Sequence, residues 1–120
     1  FGDGLRIYGR LHSAEIDYRL AHEEFEIPFW IWCSKSYAKK HPGIMKAIDQ
    51  AKGRPFMTDR LAHTLLYLAG ISCHDYRDDC NVLSPHYDSK RPRILKNSID
   101  YNKLKAENEN NHKAPIVAKP

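Results

Sequence analysis

The sequence predicts an α/β fold in which helices cover both faces of a mixed sheet. In the stretch "EIPFWIWC", Glu26 to Cys33, apolar side chains occupy successive positions, which is typical of a strand buried on both faces. The stretch "DRLAHTLLYLA", Asp59 to Ala69, places apolar residues at helical spacing, as in a helix that packs on a sheet. Along the sequence, the predicted elements are a strand, several helices and a second strand, and this order is typical of an α/β protein.

The predicted strand runs from Ile27 to Cys33, and Pro28, which has no N–H, should lie among its first residues. Because side chains alternate along a strand, we expect Trp30 and Trp32 on one face and Phe29, Ile31 and Cys33 on the other. A chain of 120 residues supplies few layers to cover both faces. If it stands alone, the run should be only partly covered, and self-association should result.

Two short surface helices are predicted after this run. Ser34 is a suitable N-cap for a helix through "KSYAKKH", which Pro42 and Gly43 should end. The next stretch, Ile44 to Lys52, has a helical apolar face and ends before Gly53.

A longer helix is predicted to start at Thr58 as N-cap, with Asp59 in its first turn and Gly70 just past its end. His63 lies four residues after Asp59, a spacing at which an acid and an imidazole can pair. The predicted apolar stripe consists of Leu61, Ala62, Leu65, Leu66, Leu68 and Ala69.

The rest of the chain is more polar. The stretch "SCHDYRDDCN" predicts a loop, and "RPRIL", which starts at Arg91, predicts a short edge strand. From Ala106 the composition turns to Asn, Glu, Lys and Pro, which is typical of disorder. We therefore expect one folded part over residues 1–104 and a disordered tail over residues 105–120.

Charge and hydropathy argue against two classes of partner. The net charge is +4, but 19 basic residues are scattered among 15 acidic ones, so nucleic-acid binding is not expected. No apolar run approaches the roughly 20 residues that span a bilayer, so this stretch of chain is not expected to cross a membrane.

Cysteines and histidines give no closed metal pattern. Cys73 and Cys80 could form a disulfide in an oxidising compartment, or all three cysteines could be free thiols, with Cys33 buried in the apolar run. The seven histidines show neither of the spacings that mark a self-contained zinc site on a loop or helix.

Five segments together resemble the C-terminal part of the alkaline-phosphatase superfamily, specifically the sulfatase-like phosphoethanolamine transferases of bacterial envelopes. They are "FGDG", "LHSA", "EIPFWIWCS", "RPFMTDRLAHTLLYLAGI" and "LSPHYDSKRPRI", within residues 1–101. The helix that starts with Thr-Asp and ends in Leu-Ala-Gly-Ile is shared by sulfatases in general. The resemblance implies that the chain is the C-terminal portion of such a fold.

The resemblance also implies an activity and a place. Members transfer phosphoethanolamine from a phospholipid to lipid A or a core sugar of lipopolysaccharide, through a phospho-threonine, at the periplasmic face of the inner membrane. Zinc activates the nucleophile and neutralises the phosphoryl oxygens. The matched residues are Asp3 as a metal ligand and His12 as the catalytic histidine that contacts the phosphoryl group. The nucleophile would lie upstream of Phe1, as would the membrane helices that anchor the parent protein.

The sequence departs from the family's metal-binding motif at one position, and this leaves alternative functions open. Where the family has Asp-His-Gly, this sequence reads Gly2, Asp3, Gly4, so one imidazole is absent whether Asp3 matches the Asp or replaces the His. The chain by itself is not expected to be catalytic. The alternatives are a sulfatase-fold hydrolase of sulfate or phosphate esters, and a non-catalytic binding module with a degraded metal site.

Overall fold

The structure is a computed structural model that describes His22, residues 25–96 and residues 98–113. It contains two compact units. One unit runs from Ile31 to Arg91, and the other holds the described residues up to Trp30 and from Pro92 onward. Each is built from short local elements.

The Ile31–Arg91 unit begins with helix α1, Lys35–Lys40. The predicted cap is confirmed, because the Ser34 Oγ accepts a hydrogen bond from the Tyr37 N–H at 3.1 Å. This bond satisfies one of the donors that a helix start leaves without a partner. The Tyr37 hydroxyl donates to the Leu68 carbonyl oxygen at 2.7 Å, and this ties α1 to a later helix.

Helix α2, Pro42–Gln50, follows after a single residue. It starts two residues earlier than predicted because proline is well tolerated at the first helical position, where its missing N–H has no partner in any case. Gly53 adopts a positive φ of 80° beyond its end. Neither α1 nor α2 contains a buried residue, which confirms that both are surface helices.

Helix α3 spans Leu61–Ala69 and is preceded by a 3₁₀ turn, Thr58–Arg60. Thr58 is therefore part of the turn, and its side chain does not cap the helix. The helix ends as predicted: Gly70 is left-handed with φ 67°, and the Ile71 N–H donates to the Leu66 carbonyl at 2.9 Å. This hydrogen bond and the left-handed glycine are features of a Schellman ending.

The buried part of this unit centres on a loop rather than on a sheet. Thr64 is the only buried residue of α3, and Leu65 on the same helix is 55% exposed. The predicted packing of α3 on a sheet is therefore wrong for the described residues. The buried residues of the unit are Thr64, Cys80, Asn81, Val82, Leu83 and Ser84.

The apolar run at residues 27–33 is not a strand in the structure. Trp30 and Trp32 are 74% and 76% exposed, so the predicted burial on both faces is wrong. A strand needs a hydrogen-bonded neighbour, and the sheet found in the described residues does not include this run. Cys33 is half-buried rather than buried.

The other unit contains that two-stranded antiparallel sheet. Strands β1, Ile94–Leu95, and β2, Ile99–Asp100, pair with Leu95 opposite Ile99. The predicted edge strand in "RPRIL" is confirmed by β1. Helix α4, Tyr101–Lys113, starts directly after β2.

Two side chains of α4 form the core of this unit. Tyr101 and Leu104 are 5% and 3% exposed and pack against Phe25 and Leu95. The Tyr101 hydroxyl donates to the Glu26 carboxylate at 3.0 Å, and Lys105 donates to the same oxygen at 2.8 Å. These contacts lie in the first turns of the helix, which extends over residues 105–113, where the sequence predicted disorder. Residues 114–120 lie outside the described residues.

The described residues thus combine helices with a small sheet, a mixture compatible with the predicted α/β class. The larger mixed sheet with helices on both faces is not among them. Within the same residues, no helix combines the length and the apolar character needed to span a membrane.

Candidate functional site

The two site residues implied by the family resemblance, Asp3 and His12, lie outside the described residues. Their roles as metal ligand and catalytic histidine stay predictions. Among the residues that are described, no group of three or more His, Cys, Asp or Glu side chains is placed to hold a metal ion.

The other predicted feature, a disulfide between Cys73 and Cys80, is not formed in the structure. Both residues are free thiols, and they occupy different environments: Cys73 is exposed, while Cys80 is buried. Cys80 lies in a 3₁₀ turn, Asp78–Cys80, that folds it into the core of its unit. The free-thiol alternative is therefore the one that the structure contains.

The densest group of polar contacts lies in the loop that sequence reasoning left without a role. We call it the Asp78 cluster, and its members are Tyr76, Asp78, Asn81, Ser84 and His86. The Tyr76 hydroxyl donates to Asp78 Oδ1 at 3.0 Å, and the His86 Nδ1 lies 2.7 Å from Asp78 Oδ2. The Asn81 Nδ2 donates to the Tyr76 hydroxyl at 3.1 Å. A continuous chain of hydrogen bonds thus joins the buried Asn81 to the exposed His86.

The loop holds this shape because its turn residues bond to their own backbone. The Asn81 Oδ1 accepts from the Leu83 N–H at 3.0 Å, and the Ser84 Oγ accepts from the His86 N–H at 3.0 Å. Short polar side chains commonly close turns in this way. Asn81 is fully buried, so its two hydrogen bonds replace those that it would make to water.

Two side chains from earlier in the unit fix the loop in place. The Thr64 Oγ1 accepts from the Val82 N–H at 3.2 Å. The Arg54 Nη1 donates to the Val82 carbonyl at 2.7 Å and to the Ser84 carbonyl at 2.8 Å. Hydrogen bonds from a charged donor are stronger than those between neutral groups. The two bonds from Arg54 therefore contribute strongly to holding the loop in position.

Asp78 determines which nitrogen of His86 carries a proton. A carboxylate accepts hydrogen bonds and does not donate them, so the His86 Nδ1 must be protonated to bind it. In the neutral ring the Nε2 then holds a lone pair, and the side chain is 79% exposed. Orientation of an imidazole by a carboxylate in this way is common to catalytic bases and metal-binding histidines.

His63 has the opposite arrangement. Its Nδ1 accepts from the Arg77 backbone N–H at 3.1 Å, so the neutral ring carries its proton on Nε2. The predicted pair between His63 and Asp59 is wrong, because Asp59 instead accepts from both terminal nitrogens of Arg91. A bidentate guanidinium is a stronger partner for a carboxylate than a single imidazole nitrogen.

The cluster by itself can bind a proton but has no nucleophile in reach of His86 for covalent chemistry. Ser84 is buried, and its hydroxyl is already engaged with the His86 backbone. Cys80 is also buried. The hydrogen bonds of the cluster therefore account for the shape of the loop.

Hydrogen bonding lowers the pKa of Asp78. The largest cause is the hydrogen bond from His86, followed by the hydrogen bond from the Ser84 hydroxyl, while partial burial acts in the opposite direction. Because the folded pKa lies below the ordinary value of 3.8, the stabilisation is fully present above that pH. It is lost as the pH falls through the folded pKa.

The variant His86→Ala is expected to raise the pKa of Asp78 toward its ordinary value, because the principal hydrogen bond to the carboxylate is removed. Carboxyl-detected NMR titration measures this pKa directly. His74→Ala is the matched control, since His74 lies beside Asp75 with both side chains fully exposed. An unchanged Asp78 titration in His86→Ala, or an equal shift in the control, contradicts the described contact.

Sequence reasoning missed the Asp78 cluster for a definable reason. "SCHDYRDDCN" contains Asp and Asn, which favour turns, and the sequence accordingly predicted a loop here. The contact between Asp78 and His86 joins residues eight positions apart across an irregular loop. Neither the helical period nor the strand period predicts a contact between residues at that separation.

Comparison with known proteins adds no family to this description. No family model, no curated protein and no solved structure matches the chain. The link to a family therefore rests on the five sequence segments alone.

Proposed function

We propose that the chain is the C-terminal part of a zinc-dependent phosphoethanolamine transferase with a sulfatase-like α/β fold. The complete protein would act at the periplasmic face of the bacterial inner membrane, anchored by upstream helices. Its donor would be a phospholipid and its acceptor lipid A or a core sugar of lipopolysaccharide. In this proposal the present chain is a supporting part of the enzyme and is not catalytic alone.

The observation that supports this proposal best is that residues from the resembling segments bind one another. Arg54 opens the segment "RPFMTDRLAHTLLYLAGI", and Thr64 lies within it. Both bond to the backbone of Val82 at the approach to "LSPHYDSKRPRI", and Arg54 also binds the carbonyl of Ser84 inside that segment. Two of the segments that resemble this family are therefore joined through specific side chains in the folded unit.

The roles of Asp3 and His12 follow from the resemblance. In the complete gene product Asp3 is proposed as a zinc ligand, and a carboxylate oxygen is a ligand that zinc accepts. His12 is proposed to contact the phosphoryl group, where an imidazole can donate a hydrogen bond to an anionic oxygen. The nucleophilic threonine is proposed to lie upstream of this chain.

The test is a transfer assay with the complete gene product. It is incubated with phosphatidylethanolamine vesicles and lipid A, and mass spectrometry follows the addition of one phosphoethanolamine group to the acceptor. We expect transfer by the parent protein, little or none by Asp3→Ala and His12→Ala, and unchanged transfer by the matched controls Asp75→Ala and His74→Ala, whose side chains are fully exposed.

The remaining outcomes identify the alternatives. Hydrolysis of sulfate or phosphate esters without transfer to lipid A contradicts the transferase and favours the hydrolase. If the protein is folded and has a threonine upstream but shows neither transfer nor hydrolysis, both enzyme proposals are contradicted. That result favours a binding module whose metal site lost its histidine beside Asp3.

A further inference from the structure

The residues Trp30 to Cys33 have the exposure pattern of one strand face. Trp30 and Trp32 are 74% and 76% exposed, whereas Ile31 and Cys33 are half-buried. Alternation with a period of two is the pattern of a β-strand that is covered on one side. The sequence predicted that these side chains alternate between two buried faces, whereas in the structure the tryptophans are exposed and no strand is formed here.

Within the described part of the chain, the backbone of these four residues also has no hydrogen-bond partner. Among the described residues, none makes a hydrogen bond to the backbone N–H or C=O groups of residues 30–33. A short apolar segment with unpaired backbone groups is a template for pairing with another strand. The best occupant of this surface is therefore a second strand that carries apolar side chains.

Charges on either side of the run favour a second copy of the same chain. Glu26 precedes the run, and Lys35 follows it as the first residue of α1. If two copies pair antiparallel, Lys35 of each copy approaches Glu26 of the other, whose carboxylate also binds Lys105 of its own chain. Opposite charges across paired strands are favourable, and like charges are not. A parallel arrangement would instead bring the two acidic ends together.

We propose that residues 30–32 pair antiparallel with the same residues of a second copy of this chain, forming a two-fold symmetric dimer. With Ile31 opposite the partner's Ile31, each Trp30 lies across from the partner's Trp32. Aromatic pairs across strands stabilise a sheet, and an interface that uses the same surface on both copies closes as a dimer. This inference does not depend on the proposed enzymatic function.

Sedimentation velocity of the 120-residue chain over a range of concentrations tests the proposal. We expect a monomer–dimer equilibrium. Trp30 and Trp32 are the only tryptophans, so their fluorescence should shift to shorter wavelength as the dimer forms and the indoles leave water. Ile31→Pro removes a backbone N–H and should abolish the dimer, as should the double variant Trp30→Ser with Trp32→Ser.

Two further variants distinguish this interface from nonspecific association through other apolar side chains. Leu65→Ser removes an exposed apolar side chain of α3 and should leave the dimer unchanged. Lys35→Glu should raise the dimer dissociation constant roughly two- to tenfold, and circular dichroism checks that each variant keeps its helices. A monomer at all concentrations overturns the proposal, and so does a dimer that survives the tryptophan variants or is lost in Leu65→Ser.

Discussion

The variant Asn81→Leu is expected to lower the free energy of unfolding of the Ile31–Arg91 unit by about 2–3 kcal/mol. Asn81 is fully buried, accepts from the Leu83 N–H and donates to the Tyr76 hydroxyl. Leucine fills a similar volume but leaves the buried Leu83 N–H without an acceptor. A buried donor without a partner costs more than an average hydrogen bond contributes.

Urea denaturation followed by circular dichroism measures this effect, with Gln50→Leu as the control. Gln50 is exposed at the end of α2, so the same apolar side chain at that position should change the unfolding free energy by less than about 0.5 kcal/mol. Equal effects at the two positions, or no effect at Asn81, contradict the described hydrogen bonds.

The second large effect is expected in the other unit. Leu104→Ala should destabilise it by about 2–5 kcal/mol, because the leucine is 3% exposed and its removal leaves a cavity. Leu104 packs with Tyr101 against Phe25 and Leu95. The loss should therefore free the first turn of α4 and the short sheet together.

Amide hydrogen exchange resolves this prediction by region. Protection of α4 should fall in Leu104→Ala, while Lys103→Ala, an exposed neighbour on the same helix, should leave it unchanged. If α4 keeps its full protection without Leu104, the core described for this unit does not hold the helix.

The same core explains the raised pKa of Tyr101. Burial is the largest cause, and the hydrogen bond to the Glu26 carboxylate adds to it, since an ionised tyrosine could no longer donate that bond. The guanidinium of Arg93 stacks over the ring at 5.2 Å and opposes the shift. Tyr101 thus stays a neutral hydrogen-bond donor throughout the ordinary pH range.

The elements that the sequence predicted well are those whose signals are local. Ser34 caps α1 through a bond to a residue three positions later, and Gly70 ends α3 because it adopts a left-handed conformation that other residues reach only at a cost. Such features need no information about distant residues. The start of α2 at Pro42 follows from the same kind of rule.

The sequence predictions were wrong where the outcome depends on contacts between residues far apart in the chain. Arg91 takes the Asp59 carboxylate that was predicted to pair with His63, and its position could not be foreseen from helical spacing. The predicted burial of the run around Trp30 and Trp32 depended on neighbouring strands and on helices covering both faces, and apolar character alone does not say where those elements lie. Of the candidate site, the sequence indicated a loop at residues 72–81 but not the contact of Asp78 with His86.

Calorimetric titration of zinc onto the complete gene product tests most directly the proposal that this protein binds zinc through Asp3. Binding to the parent protein should be tight and should be lost or weakened at least about tenfold in Asp3→Ala. The same substitution at the fully exposed Asp75 should have no effect. Absence of zinc binding by the parent, or equal affinity in Asp3→Ala and Asp75→Ala, contradicts the account.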